Sequence, residues 1–207
     1  MFIPKKGIRI CFIILALAAF SLFLFQRAGN SPVDSPPAAG PDYSAFDFTL
    51  SDHLGLETRL SDFQGKVVLI LFGYTSCPDI CPTQLSLLTE VMDKLGELSG
   101  ELQVLFITVD PERDTPKKLQ EYLANFHPNF MGLTGRPEEL LRVARQYNAA
   151  FSRGEALSNG YKMDHSSSVY LVNQKGHLAG IYPNDVAPDR MVEEIIKVVD
   201  SRGLKGI

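Results

Sequence analysis

Residues 10–25, ICFIILALAAFSLFLF, form the longest apolar run in the chain; Lys5, Lys6 and Arg9 precede it and Arg27 follows. As a helix it covers about 24 Å, a little short of a hydrocarbon core of about 30 Å unless its ends snorkel. Small residues suited to cleavage are poorly represented in FQRAG, so a retained signal anchor is favoured over a cleaved signal peptide. Basic residues before the span keep the N-terminus in the cytoplasm and send the remainder across. Cys11 lies inside this run and reads as a small hydrophobe of the anchor. The following GNSPVDSPPAAGPD is rich in Pro, Ala and Gly without periodicity, a spacer. The reading is an anchor over residues 1–29, a linker over 30–41 and one globular domain over 42–207.

Within the domain the pattern changes repeatedly between two periods. FDFTLSDHLGLETRLSDFQGK alternates around a turn and predicts a short N-terminal β-hairpin. VVLILFGY (67–74) and LQVLFITVD (102–110) are continuous apolar runs of strand length, suited to strands covered on both faces. TQLSLLTEVMDKLGEL carries a helical stripe at 85, 88, 91, 92 and 95. TPKKLQEYLANF predicts a helix with Thr115 as N-cap and Pro116 at its first position, and Pro137 opens another over PEELLRVARQYNAAF. FMGLTG reads as a short strand, HSSSVYLVNQKGHLAGIY as a hairpin around NQKG, and APDRMVEEIIKVVDSR as a final amphipathic helix. The order predicts an α/β fold with a mixed central sheet. Phe72, Phe106 and Tyr170 read as core.

The chain has a formal charge of −4. Residues 1–27 hold four basic and no acidic side chains, so the remainder stands at −8, a poor match for nucleic acid.

GYTSCPDICPTQ places Cys77 and Cys81 in the connection from an apolar strand to a helix N-terminus. Backbone N–H groups and the positive end of the helix dipole there favour a thiolate. Were both cysteines helical, their Cβ atoms would stand about 5–6 Å apart, too far for an undistorted disulfide and suited to flanking a metal ion. Pro82 disfavours helical geometry at Cys81, so the disulfide stays open. A third ligand is wanted. His53, His127 and His177 fall in or beside turns and read as solvated; His165, in KMDHSSSVYL, lies where a loop enters a strand that can face the cysteines. Two thiolates and an imidazole suit Cu(I), and also Cu(II) or Zn²⁺. Asp164 could orient the imidazole or only cap the loop; Asp79 is a turn residue or an anionic part of the site. Capping, turn formation and a salt bridge to Arg113 account for Asp110 and Asp114, with docking or tuning of the site as the alternative.

GYTSCPDICPTQL, VDPERDTP and YKMDHSSSVYLVNQKG, in that order, resemble the hallmark segments of the Sco/SenC family of membrane-anchored copper chaperones. The resemblance covers residues 42–200 and the anchor. It implies a thioredoxin-like fold, copper as Cu(I) or Cu(II) on Cys77, Cys81 and His165, and delivery to the binuclear centre in the copper-bearing subunit of cytochrome c oxidase. An anchor only a few residues from the N-terminus leaves no room for a transit peptide, which favours the inner (cytoplasmic) membrane with the domain facing the periplasm over a mitochondrial intermembrane space. Asn173 stands where the family commonly has Asp. Two other classes compete. A thiol-disulfide oxidoreductase would use Cys77 and Cys81 as a redox pair on the oxidase subunit or other exported proteins. A thiol peroxidase needs one attacking thiol and gives no reason for His165. The first two are compatible, because metal loading in an oxidising compartment needs reduced thiols and hence a thiol reductant as partner.

Overall fold

The computed structural model describes residues 43–44, 47–157 and 160–200. The expected anchor and linker, with Cys11, lie outside them. Among the described residues no helix is long and apolar enough to cross a membrane.

The chain runs through β1 (Tyr43–Ser44), β2 (Thr49–Asp52), β3 (Glu57–Arg59), a 3₁₀ turn (Leu60–Phe63) and β4 (Val67–Gly73). There follow α1 (Ile80–Leu95), β5 (Leu102–Thr108), α2 (Pro116–Leu123), β6 (Phe130–Thr134) and α3 (Pro137–Gln146). The last part comprises β7 (Phe151–Leu157), β8 (Gly160–His165), β9 (Val169–Val172), β10 (His177–Tyr182) and α4 (Pro188–Asp200). Eight strands form one sheet in the order β1-β10-β9-β4-β5-β6-β2-β3. β4, β5 and β6 are parallel, β9 and β10 antiparallel to their neighbours, and β2 and β3 make the N-terminal hairpin. This is the mixed central sheet expected.

All seven residues of β4 are buried, so both sheet faces are covered there. Phe106 pairs in register with Leu71, the neighbour of Phe72. Successive strand residues point to opposite faces. The contact of Phe106 with Tyr122 and that of Phe72 with Tyr147 therefore put α2 and α3 on opposite faces. Each fully buried large apolar side chain contributes about 1.5–3 kcal/mol, which makes β4 and β5 the rigid base of the molecule.

The helix starts hold, but α3 stops at Gln146, short of the expected Phe151: Asn148 takes a left-handed φ of 54° and Phe151 opens β7. Thr115 Oγ1 accepts from Lys118 N at 3.3 Å, with Pro116 at the first helical position. In the β9–β10 turn Asn173 Oδ1 accepts from the Lys175 and His177 amides, both at 3.0 Å, so an amide serves the turn as a carboxylate would.

One element was not foreseen. Residues 151–165 form a separate two-stranded sheet, β7–β8, with none of its described side chains buried. SRGE leaves β7 without apolar alternation, and in β8 only Tyr161 and Met163 alternate with Lys162 and Asp164, a stretch too short to stand out as a half-buried strand. His165 accordingly ends a strand instead of entering one.

Gly73, the last residue of β4, lies where the core meets the cysteine loop. A Cβ there would stand 2.7 Å from the Phe106 ring and 2.9 Å from Cys81 Sγ, inside van der Waals contact. Gly73→Ala is expected to destabilise the domain by about 1–3 kcal/mol through overpacking, measured as a lowered denaturant midpoint. Unchanged stability would mean that the Cys81 sulfur is not held against the strand.

Candidate metal centre

The parallel strands β4 and β5 end side by side, and two loops leave them. Residues 74–79 connect β4 to α1, and residues 109–115 connect β5 to α2. α1 begins at Ile80, after Cys77 and before Cys81. The condition for a shared helical face is therefore not met: Cys77 sits in the loop and Cys81 in the first turn. Pro82 fits the third helical position because its missing N–H would have no intrahelical partner there. Cys81 is wholly buried, whereas Cys77 is half-buried at the surface.

His165 comes to this loop from β8. Its Nδ1 is 2.9 Å from the Ser166 carbonyl, to which it donates, leaving Nε2 directed at the sulfurs. Nε2 lies 3.5 Å from Cys81 Sγ, and the three ligand atoms of Cys77, Cys81 and His165 all lie within 4.8 Å of one another. Three ligands around one ion at about 2.0–2.3 Å stand about 3.5–4 Å apart, so the group could hold a metal with small adjustment. Tyr74, itself buried, packs edge-on against the imidazole at 5.7 Å.

Both halves of the site are fastened by the 109–115 loop. Asp114, fully buried, accepts from the Thr75 amide at 3.0 Å, the Thr75 hydroxyl at 2.6 Å and the Thr108 hydroxyl at 2.7 Å. It thus pins the cysteine loop to the end of β5. Asp110 pairs with Arg113 as expected, and accepts from the Tyr161 hydroxyl of β8 at 2.7 Å. Beyond His165, Ser166 N donates to the Ala150 carbonyl at 2.9 Å, and the Gln84 amide of α1 donates to the Ser167 carbonyl.

These surroundings separate the two thiols. The hydrogen bond from Cys81, then those from His165 and from the Asp79 and Cys81 amides, outweigh burial and hold Cys77 far below an ordinary thiol, at about 3. Its partner moves the other way: the bond to Cys77 and burial push the Cys81 thiol well up. For His165 burial opposes the imidazolium, but the hydrogen bonds to Cys77 and Ser166 and the charge of Cys77 raise its pKa.

The SCO1/SenC family model matches residues 37–200. The chain belongs to that family. An SCO2-like protein of Rickettsia conorii is 35% identical over 192 residues, covering 91% of this chain and 94% of its own. The solved structure of Bradyrhizobium japonicum ScoI with copper bound is 33% identical, with a TM-score of 0.69 over 75% of this chain and 99% of that one. BsSco, described with a disulfide switch as a member of the Sco family of cytochrome c oxidase assembly proteins, is 26% identical, with a TM-score of 0.64 over 81% and 97%. The mixed sheet is thus the thioredoxin-like plan of the Sco proteins.

Of the residues singled out in the sequence, Cys77, Cys81 and His165 are brought together in this Sco chain. His53 and His127 are elsewhere and hydrogen-bonded, not simply solvated: their Nδ1 atoms accept from the Gly132 and Asn129 amides at 2.9 and 3.2 Å. His177 is half-buried in β10. Asp164 does not hold His165, whose Nδ1 is taken by the Ser166 carbonyl; its carboxylate lies across the hairpin against Gly154. Sequence reasoning missed Thr75, Gln84, Tyr74 and Tyr161. Only their nearness to the motifs pointed to them, since their partners lie 39 to 91 residues away.

Two outcomes follow for the metal-free protein. Because Cys77 titrates far below neutrality, its iodoacetamide alkylation rate should change less than about twofold between pH 5 and 8. An ordinary thiol would lose several hundredfold over about that range. Peptide mapping by mass assigns the site; a steep fall for Cys77 with acidification would refute the electrostatic account. Asp114→Ala strands the Thr75 and Thr108 hydroxyls and frees the loop. It should cost about 2–4 kcal/mol in chemical denaturation and speed alkylation of the buried Cys81.

Proposed function

We propose that this chain is a membrane-anchored copper-delivery protein: Cys77, Cys81 and His165 hold copper and pass it to the binuclear copper centre of cytochrome c oxidase. The observation that carries the reading is the convergence of two sulfurs and Nε2 within 4.8 Å, from the α1 N-terminus and the end of β8. Soft thiolates select Cu(I), and one imidazole extends the set to Cu(II). Family membership and the copper-bound ScoI relative support the choice of copper. The description of BsSco as belonging to a family of oxidase assembly proteins supports the destination. The apolar run within residues 1–29 is the anchor, 30–41 the spacer, and 42–207 the copper domain, held at the inner membrane and facing the periplasm.

The asymmetry of the thiols shapes the exchange. Cys77 meets an incoming ion already as thiolate, half-buried at the mouth of the site. Cys81 must lose its proton on binding, and His165 must be neutral, so binding releases protons and strengthens as pH rises. The same asymmetry favours one second reading, a thiol-disulfide oxidoreductase in which Cys77 attacks and buried Cys81 resolves.

Copper titration of the reduced full-length chain should give one ion per chain, with X-ray absorption showing sulfur and nitrogen ligation. Cys77→Ser and Cys81→Ser should each abolish tight binding. His165→Ala should keep weak Cu(I) and lose almost all Cu(II), while reduction of a model disulfide is retained because both thiols remain. Tight binding by either cysteine variant would defeat the copper reading. Oxidase assembly surviving His165→Ala but not the cysteine changes would favour the reductase.

A further inference from the structure

The β7–β8 hairpin that delivers His165 has no buried side chain of its own among those described, and a two-stranded hairpin is marginal in water. What fixes it is concentrated on one face. Along β8 the half-buried positions are Tyr161, Met163 and His165, alternating with exposed neighbours, so these three share the face turned to the domain. Met163 and Phe151 give the hairpin its apolar contact with the core. Tyr161 gives it a polar lock. The Arg113 guanidinium lies 3.8 Å from the centre of the Tyr161 ring and the Arg153 guanidinium 4.0 Å. The Tyr161 hydroxyl donates to Asp110 at 2.7 Å, and Arg113 donates to the Tyr161 carbonyl at 2.9 Å. Arg153, on β7, closes the cluster through Glu112 at 2.6 Å.

We propose that Tyr161 is a positioning residue for His165, setting the roll and register of β8 from the 109–115 loop so that Nε2 reaches the two sulfurs. Tyr161 and His165 are four residues apart on one strand, about 13 Å. A side chain gripped on its ring, its hydroxyl and its backbone carbonyl removes both rotation and sliding at that distance. The loop that grips it is the one whose Asp114 holds the cysteine loop at Thr75. Thiols and imidazole are thereby referred to a common support. Without the lock at Tyr161 the hairpin retains the Met163 and Phe151 contacts, the Arg153–Glu112 pair, the packing of Tyr74 on His165 and the ties at Ser166 and Ser167, none of which grips β8 at Tyr161. The competent arrangement becomes a fraction of the ensemble, and apparent affinity falls by that fraction.

The metal part of the test rests on the copper reading; the metal-free part does not. In the full-length chain Tyr161→Ala should weaken Cu(II) binding about tenfold and Cu(I) much less, while Tyr161→Phe, which keeps the ring, should lose less than about threefold. Tyr161→Ala/His165→Ala should bind Cu(II) no more weakly than His165→Ala alone, because Tyr161 acts through the imidazole. Without metal, histidine-labelled NMR should show faster exchange of the His165 Nδ1 proton in both Tyr161 variants. Wild-type Cu(II) affinity in Tyr161→Ala, or losses that simply add in the double variant, would overturn the proposal. If Tyr161→Ala does not fold, Tyr161→Phe decides, and unchanged His165 exchange in it overturns the proposal. A wild-type chain that binds no copper would defeat the copper reading, leaving the exchange measurement to judge Tyr161.

Discussion

The site depends on a carboxylate that water does not reach. Burying an ionised carboxyl costs several kcal/mol unless its oxygens are satisfied, and Asp114 meets that condition with three donors from two separate stretches of chain. Thr108 belongs to the end of β5, and Thr75 to the loop that carries Cys77. Lys118, one turn into α2, adds a longer-range cation at 3.7 Å. The requirement to satisfy Asp114 therefore fixes where the cysteine loop leaves β4. That holds the loop out of the helical conformation in which the two cysteines would have lain on one face.

A difference in support runs through the three ligands. Cys81 rests on the rigid base: its sulfur packs on Gly73, the last residue of a strand buried along its whole length. Cys77 rests on the same base through the loop. His165 hangs on a hairpin held by polar contacts and two partly buried apolar side chains. Local opening is easiest where few apolar contacts are made, so the imidazole side is the softer half. The proposed delivery role, in which an ion is held and then released, is well served by ligands of unequal stiffness.

How much could be read beforehand follows the same division. The fully apolar β4 and β5, the helix starts at Thr115 and Pro137 and the turn at Asn173 declare themselves locally, through period, capping and turn chemistry. The two cysteines declare themselves by place, after a strand and before a helix. The β7–β8 hairpin was hard to see because SRGE leaves β7 without alternation and the alternation of Tyr161 and Met163 in β8 is short. Missing it misplaced the origin of His165, though not its destination. Asp110 and Asp114 were read as turn residues because their local surroundings account for them; Thr75 and Tyr161, 39 and 51 residues away, are not visible in a local window. Gln84 sits on the apolar side of α1, where its polarity is the only hint that it serves something beyond packing.

The spacing of the cysteines can now be understood through the backbone between them. Helix α1 opens at Ile80, and its first turn leaves amides without intrahelical acceptors. With three residues intervening, Cys77 falls outside that turn with its sulfur facing the amides of Asp79 and Cys81, which help to stabilise the thiolate. Cys81 falls inside the turn, against Gly73, where the hydrogen bond to Cys77 and burial keep it protonated. Both would otherwise resist losing their protons. One ionised and one protonated sulfur, with an imidazole facing the pair, avoid placing two negative charges together in a half-dry pocket while no ion is bound. An ion of positive charge removes that restraint, since its charge makes the second thiolate affordable. The arrangement is thus poised for a soft cation, and the buried carboxylate, the polar hairpin and the strand end all act to keep it so.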